Sequence, residues 1–121
     1  MINDKKSIHI EAGAKIDPTA IIGKNCSIYP NVEIGPNVHI GCNCRIQCGA
    51  EIAQGACIGH NCIFGMGCKV KRGAIIASNC VFHTGAKIGR YAIVGHNCVL
   101  RAGTKINDYC SISDRTERLL V

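Results

Sequence analysis

Residues 52–76 read IAQGACIGHNCIFGMGCKVKRGAII, and this stretch decides the fold. Large apolar side chains recur in it every six residues, at Ile52, Ile58, Phe64, Val70 and Ile76. The same count continues without a slip in both directions and gives eighteen such positions, from Ile10 to Ile112. A helix repeats about every 3.6 residues and an alternating strand every 2, so neither has this period. A short strand followed by a tight turn does.

Two further positions in each six-residue unit carry small or turn-forming residues. Two residues before each large position lies a smaller one, and seven of these eighteen are Ala and seven are Cys. Three residues after each large position, fourteen of the seventeen residues from 13 to 109 are Gly or Asn, which tolerate positive φ best. Each unit therefore predicts a strand with the small and large side chains inside, followed by a left-handed bend. Three bends close a triangular coil of 18 residues, and the chain makes nearly six coils.

This pattern resembles the hexapeptide-repeat family over residues 8–113. The resemblance implies an all-β fold, a single-stranded left-handed parallel β-helix of about six coils, which is the known exception to right-handed crossovers. The low aromatic content of 4% suits its narrow interior. We expect residues 1–7 to form a lead-in and residues 114–121 a short tail or stub helix, because Asp114 and Glu117 have the spacing of a capping box. This tail would cover the open edge of the last coil.

Length, charge and the N-terminal residues exclude several classes of protein. The 121 residues suffice for one domain, and no apolar run approaches the roughly 20 residues of a membrane span. No apolar segment of a secretory signal follows Met1, so we expect a cytoplasmic protein. The net charge of +6 allows anionic substrates, while no phosphate loop or interleaving of aromatic and basic residues suggests nucleic acid.

The ten cysteines are predicted to be packed thiols rather than disulfides or metal ligands. Five are spaced by 18 residues and so form one interior column: Cys26, Cys44, Cys62, Cys80 and Cys98. The Cβ atoms of stacked neighbours in a parallel sheet lie about 4.8 Å apart, which is longer than the Cβ separation that a disulfide favours. The run from Cys42 to Cys48 spans the interior and two different corners, so its three cysteines cannot hold one metal ion. We therefore expect no metal.

The outward residue in mid-strand defines three flat faces of the predicted prism. One face is solvated: Lys15, Glu33, Glu51, Lys69, Lys87 and Lys105. The other two are apolar between Cys57 and Val99 and include Ile63, Ile75, Val81 and Ile93. Two adjacent apolar stripes predict burial against other copies of the chain, and a heterologous contact of this kind closes as a homotrimer. The alternative is that these residues were selected only for strand propensity.

The corner between the two apolar faces holds the candidate catalytic residues. Its column reads Lys24, Cys42, His60, Ser78, His96 and Asp114. The segments IGHNCIFG (58–65) and VGHNCVL (94–100) resemble the His-Asn or His-Asp segment of hexapeptide acyltransferases such as UDP-N-acetylglucosamine O-acyltransferase, UDP-3-O-acylglucosamine N-acyltransferase and the nucleotide-sugar N-acetyltransferases. The resemblance implies that His60, or else His96, is a general base, a task suited to the near-neutral pKa of histidine. The segment around His83, residues 79–89, resembles a segment of the N-acyltransferase that contacts substrate.

The resemblance also implies the substrates. It points to transfer of an acyl group from acyl-CoA or acyl carrier protein to a hydroxyl or amino group of a (nucleotide) sugar, in lipid A or polysaccharide biosynthesis, with no bound cofactor. Lys69, Lys87 and Arg90 are candidates for attracting the phosphates of coenzyme A or an acidic carrier, and the alternative is that they form a solubilising surface. The repeat is not interrupted by a cleft loop, and we expect no extra domain like those of these enzymes, so a non-catalytic trimeric scaffold stays the alternative. A γ-class carbonic anhydrase is disfavoured, because its three-His pattern is incomplete at His60, His83 and His96.

Overall fold

The computed structural model describes residues 8–115 and the backbone of residues 117–118, which together form three parallel sheets. Sheet I contains β1 (His9–Ile10), β4 (Ser27–Ile28), β7 (Arg45–Ile46), β10 (Ile63–Phe64), β13 (Val81–Phe82), β16 (Val99–Leu100) and β19 (Glu117–Arg118). Sheet II contains β2 (Lys15–Ile16), β5 (Glu33–Ile34), β8 (Glu51–Ile52), β11 (Lys69–Val70), β14 (Lys87–Ile88) and β17 (Lys105–Ile106). Sheet III contains β3 (Ile21–Ile22), β6 (His39–Ile40), β9 (Cys57–Ile58), β12 (Ile75–Ile76), β15 (Ile93–Val94) and β18 (Ser111–Ile112). No helix in this part of the chain could cross a membrane.

Each strand pairs in parallel with the strand 18 residues further along the chain. Ile63 is opposite Val81 in sheet I, and Lys69 is opposite Lys87 in sheet II. Consecutive strands belong to different sheets, so the chain winds through sheets I, II and III in turn and completes one coil every three strands. The predicted left-handed β-helix of about six coils is confirmed.

The core is the column of large side chains that the six-residue period predicts. Ile28 and Ile76 are at most 2% exposed, and the rings of Phe64 and Phe82 stack with centroids 4.8 Å apart. Two positions depart from full burial: Ile16 is partly buried, and Ile10 is 38% exposed. The larger exposure is that of Ile10. It lies in the first coil of the described chain, where only one neighbouring coil covers the interior. The end of the prism therefore loses the burial that every inner coil has.

The interior cysteine column also satisfies the polar backbone at the corners. All ten cysteines are free thiols. The Cys44 thiol donates to the carbonyl oxygen of Gly59 at 3.2 Å, and the same contact recurs one coil on, from Cys62 to Ala77 at 3.1 Å. Burial raises the pKa of the Cys68 thiol, which donates to the His83 carbonyl at 3.0 Å. Cysteine thus fills the space of a small apolar residue and adds a weak donor that alanine lacks.

The chain continues its coil beyond Ser113, where the sequence suggested a short tail or a stub helix. Arg115 has a φ of 59°, and its backbone N–H donates to the His96 carbonyl at 2.7 Å. Residues 117–118 then form strand β19 against Val99 and Leu100. The preceding coil offers a ready ladder of partners, whereas a helix of a few residues is marginal in isolation. Residues 1–7, 116 and 119–121, and thus the whole of the expected lead-in and part of the tail, lie outside the described residues.

Thr104 provides a test of the core. This residue is 4% exposed, and its hydroxyl has no hydrogen-bond partner among the described residues. Val32 occupies the same inward column four coils earlier. We expect Thr104→Val to raise the free energy of unfolding by about 1–2 kcal/mol, because it removes an unsatisfied buried group without changing the volume. Urea denaturation measures the change.

The matched control is Thr19→Val. The exposed Thr19 hydroxyl accepts from the Asn37 N–H at 2.8 Å and donates to Asp17 at 2.6 Å, so its loss should destabilise. A Thr104→Val protein less stable than the wild type would show that the hydroxyl has a partner after all.

Candidate functional site

The histidine corner is the turn that connects sheet III to sheet I. The structure places the predicted column at its second position: Lys24, Cys42, His60, Ser78, His96 and Asp114. The following residue is Asn in five of the six coils and adopts positive φ, for example 61° at Asn61. Its N–H donates to the coil before, as Asn61 does to the Cys42 carbonyl at 2.9 Å. The bend therefore turns the preceding side chain outward.

Side chains of this corner form a ladder of hydrogen bonds along the prism. The backbone N–H of Cys42 donates to Nδ1 of His60 at 2.8 Å, and that of His60 to Oγ of Ser78 at 3.0 Å. The backbone N–H of Ser78 donates to Nδ1 of His96 at 3.2 Å, and that of His96 to Oδ1 of Asp114 at 2.8 Å. Each side chain thus satisfies an amide of the preceding coil. Ser78 and Asp114 were in the predicted column, but sequence reasoning assigned them no role.

Glycine at the first position of the corner makes room for this ladder. A Cβ on Gly41 would lie 2.8 Å from Nδ1 of His60, and one on Gly59 would lie 2.7 Å from Oγ of Ser78. Both distances are far inside van der Waals contact. The glycines that precede the column therefore allow the next coil's side chain to reach the backbone.

The ladder determines which nitrogen of each ring carries the proton. A nitrogen that accepts a backbone N–H must present its lone pair, so the neutral rings of His60 and His96 have their proton on Nε2. Both residues are exposed, and Nε2–H is the group that each offers to a ligand. In this arrangement the rings donate hydrogen bonds, and a general base acting through Nε2 requires the other tautomer.

The two rings act as separate groups. They belong to coils two apart, about 10 Å at the usual strand spacing, with Ser78 between them. Within the described part of one chain, no three His, Cys, Asp or Glu side chains are grouped so as to hold a metal ion. The corner can therefore donate to, or exchange protons with, two points of one extended substrate.

His83 lies at a different corner of the prism. It follows strand β13 at the turn from sheet I to sheet II, and it is exposed. The histidine corner precedes the strands of sheet I, so the width of that sheet separates His83 from His60 and His96. The structure does not bring the three predicted catalytic residues together within one chain, and only a second copy could do so.

Apolar faces flank the histidine corner on both sides. In sheet III, Ile75 and Ile93 are 50% and 48% exposed. In sheet I, Ile63, Val81 and Val99 are half-buried and point outward. These are the apolar stripes that the sequence predicts, and exposed patches of this kind mark interaction surfaces.

The basic candidates lie away from this corner. Lys69 and Lys87 are exposed in mid-strand on sheet II. Arg90 forms an ion pair with Asp108, Nη2 to Oδ2 at 2.7 Å, and this contact raises the pKa of Arg90 and lowers that of Asp108. An open groove of about 750 Å³ follows sheet II and the adjoining turns rather than the histidine corner. One of the three cation candidates is thus already neutralised by a neighbour.

The fold defines a class, the β-solenoids made of six-residue repeats, and a family model identifies the particular branch. The model, described as bacterial transferase hexapeptide (six repeats), matches residues 7–46, 37–72 and 67–102. The chain therefore belongs to the bacterial transferase hexapeptide family. No curated protein matches it.

Solved structures share the fold at low sequence identity. A GDP-perosamine N-acetyl transferase from Caulobacter crescentus, solved as a mutant with CoA and GDP-perosamine, superposes with a TM-score of 0.86 at 18% identity, over 91% of this chain and 51% of that one. A hexapeptide transferase family protein from Anaplasma phagocytophilum gives 0.63 at 18%, over 94% and 80%. A Vibrio cholerae hexapeptide-repeat acetyltransferase complexed with acetyl coenzyme A gives 0.62 at 16%, over 84% and 66%. The chain thus spans about half the length of the first of these proteins.

The ladder predicts a stability role for His60 that is separable from catalysis. His60→Ala leaves the Cys42 N–H without its acceptor, so we expect a loss of about 1 kcal/mol in urea denaturation. His60→Asp should restore most of it, because Asp114 accepts the equivalent N–H in the last coil. The control His39→Ala, on an exposed mid-strand residue, should change stability by less than about 0.5 kcal/mol. Equal effects of the two Ala variants would contradict the ladder.

Proposed function

We propose that this chain transfers an acyl group from a coenzyme A or acyl carrier protein thioester to an amino or hydroxyl group of a nucleotide-linked sugar. The single observation that carries the proposal is the pair of exposed histidines, His60 and His96, on a corner between two apolar faces in a hexapeptide transferase. The similar fold of a sugar N-acetyl transferase that binds CoA and GDP-perosamine supports this choice of substrates. A role in lipid A or polysaccharide biosynthesis would follow from them.

The reaction needs a proton acceptor and a donor to oxygen. The acceptor nitrogen or oxygen attacks the thioester carbonyl carbon and loses a proton, and the C–S bond breaks as the thiolate leaves and is protonated. A neutral imidazole suits the first proton transfer. A donor is needed at the carbonyl oxygen, where negative charge develops.

The ladder places a condition on His60 as base. Its Nε2 carries a proton while Nδ1 accepts the Cys42 N–H. To take a proton at Nε2, the ring must give up the hydrogen bond at Nδ1, which costs about 1 kcal/mol. Substrate binding can offset this cost. His60 is the first choice for the general base and His96 the second, because more coils follow His60 along the chain and can line a groove for the acyl donor. With the ring in the ladder, either Nε2–H instead donates to the carbonyl oxygen.

A homotrimer completes the proposed site. In this homotrimer, the outer face of sheet I of one copy packs against the outer face of sheet III of the next. The contact buries both apolar stripes and creates a cleft at the histidine corner. His83 of a neighbouring copy then lies across that cleft. A non-catalytic trimeric scaffold is the second candidate, and one observation favours it: both rings already serve as acceptors for the backbone.

The oligomeric state is tested by placing charge on the apolar faces. Ile75→Lys with Val81→Lys should convert the assembly to monomers, because burying unpaired charges costs several kcal/mol. Sedimentation velocity at micromolar concentration measures this. The control Glu51→Lys adds a lysine to the exposed face of sheet II and should leave the trimer intact. A wild-type monomer would refute the trimer.

Activity distinguishes base, donor and scaffold. We expect His60→Ala to lower kcat by about 10²–10⁴, the usual loss for a general base, and His96→Ala to have the smaller effect. His60→Gln retains an N–H donor but cannot take a proton, so it should be as inactive as His60→Ala if the residue is a base and nearly as active as wild type if it is a donor. His39→Ala is the control. The assay uses acetyl, 3-hydroxyacyl and longer thioesters with a panel of amino sugars.

Two results would overturn this assignment. Full activity in both Ala variants would remove the site from the histidine corner while leaving the fold untouched. No transfer by wild-type trimer with any donor would favour the scaffold.

A further inference from the structure

Two tyrosines occupy backbone positions where three of the four earlier coils have glycine or asparagine. Tyr91 and Tyr109 lie at the turn from sheet II to sheet III, which we call the aromatic corner, with φ of 57° and 62°. Seven asparagines and seven glycines have positive φ at the equivalent positions of other turns. A bulky residue in this region is uncommon and strained, and such strain clusters at functional sites.

The two rings form an exposed flat surface. They stack with centroids 5.5 Å apart and planes 16° from parallel, yet Tyr91 is 46% and Tyr109 73% exposed. The Tyr91 ring lies over Gly73, in the space that a Cβ there would occupy. Gly73 thus provides the base of the column, and Tyr109 presents most of its ring to solvent. Rings of this kind stack well on planar ligands.

Positive charge surrounds the aromatic corner. Residues 55–110 contain seven Lys and Arg but one acid, Asp108. Asp108 is held by Arg90, which donates to Oδ2 from Nε at 3.0 Å and from Nη2 at 2.7 Å. Lys71 and Arg72 are exposed on the preceding coil of the same turn. The net field at this end of the prism therefore attracts anions.

A row of lysines on sheet II adds to this field. Lys69 is directly opposite Lys87, and Lys87 is directly opposite Lys105. Like charges directly opposite in a sheet destabilise it, and a bound anion would relieve the repulsion. The groove of about 750 Å³ includes Lys69, Lys71, Arg72 and Arg90 from the later coils of the chain. Its acidic residues belong to earlier coils: Asp17, Glu33 and Glu51. Its volume suits a small-molecule ligand.

We propose that the aromatic corner binds a nucleoside diphosphate, with the base stacked on Tyr109 and the phosphates on Lys71, Arg72 and the lysine row. An aromatic face beside cations is the chemistry that recognises a base and its phosphates. The binding does not depend on the histidine corner. That the nucleotide is part of a substrate, either the nucleotide end of coenzyme A or that of a nucleotide sugar, rests on the proposed function.

The position of the aromatic corner fits an extended substrate. Six residues of chain link Tyr91 to Asn97 of the histidine corner, so the two corners are at most about 20 Å apart. Sheet III, with its exposed Ile75 and Ile93, forms the face between them. The two corners therefore lie within the length of one extended nucleotide-linked substrate.

Calorimetric titration of the wild-type assembly with CoA, ADP, GDP, UDP, adenosine and inorganic phosphate tests the inference. We expect the diphosphates to bind, and adenosine and phosphate to bind at least tenfold more weakly. Two of the three tyrosines lie at the site and there is no Trp, so binding should also quench the protein's tyrosine fluorescence. CoA binding tighter than GDP and UDP identifies the acyl donor as the source, and the reverse identifies the nucleotide sugar.

Variants separate ligand binding from packing. In Tyr91→Asn with Tyr109→Asn, the new residues suit positive φ, so the fold should be at least as stable while affinity falls about tenfold or more. Arg72→Gln should weaken binding several-fold and reduce its salt dependence. The control Arg45→Gln removes an exposed arginine from sheet I and should leave affinity unchanged.

The outcomes that overturn the inference are specific. If the double Asn variant binds nucleotide as tightly as the wild type, the rings are not part of the site. If the wild type binds no nucleotide and the double variant is less stable, the rings have a structural role only. If a single-stranded oligonucleotide binds far more tightly than ADP, the ligand of this corner is a nucleic acid and not a nucleoside diphosphate. His60→Ala and His96→Ala should bind nucleotide like the wild type, so failure of the proposed catalysis and failure of this site are distinguishable.

Discussion

The pairing of each residue with the one 18 positions later is the constraint on which the rest of this structure depends. Strands of two residues are too short to be stable alone, so each coil relies on the hydrogen bonds it makes to its neighbours. The pairing holds only if every turn has the same length and bends the same way. Positive φ at one turn position, as in Asn61 and Gly67, meets that condition. The narrow core of stacked Ile, Cys and Phe follows from the small coil.

The same constraint creates the chemistry at the corners. Because each turn projects its second residue outward, residues 18 apart form columns that run along the prism. In the histidine corner such a column satisfies the backbone N–H groups of Cys42 and Ser78 through imidazole nitrogens. Structure and proposed catalysis therefore use the same atoms in opposite ways, since an acceptor nitrogen at Nδ1 leaves Nε2 as a donor. A histidine that works as a base here must give up its hydrogen bond to the backbone N–H when it contacts the substrate.

Charge and apolar surface are arranged differently around the prism and along it. The apolar stripes cover two adjacent faces and isolate the histidine corner between them. The cations gather in the later coils on the remaining face and at the aromatic corner, where one acid, Asp108, is already paired with Arg90. The proposed contact with other copies uses the apolar side, and the proposed anionic ligand binds the charged side. The proposed acyl transfer and the proposed nucleotide site use these two sides together.

The amino-acid sequence by itself determined the fold, the inward columns, the three faces and the shared corner of His60 and His96. It could do so because the period of six is a property of the backbone, and each side chain's direction follows from its place in the period. The tertiary structure decided the contacts between coils: that Nδ1 of His60 accepts an amide, that Arg90 holds Asp108, that Tyr91 and Tyr109 stack, and that residues 117–118 join sheet I instead of a helix. These depend on rotamers and on partners 18 residues away, which a local pattern does not specify. The two tyrosines did break the Gly/Asn rule in the sequence, but only their stacking and exposure showed what that departure presents to solvent.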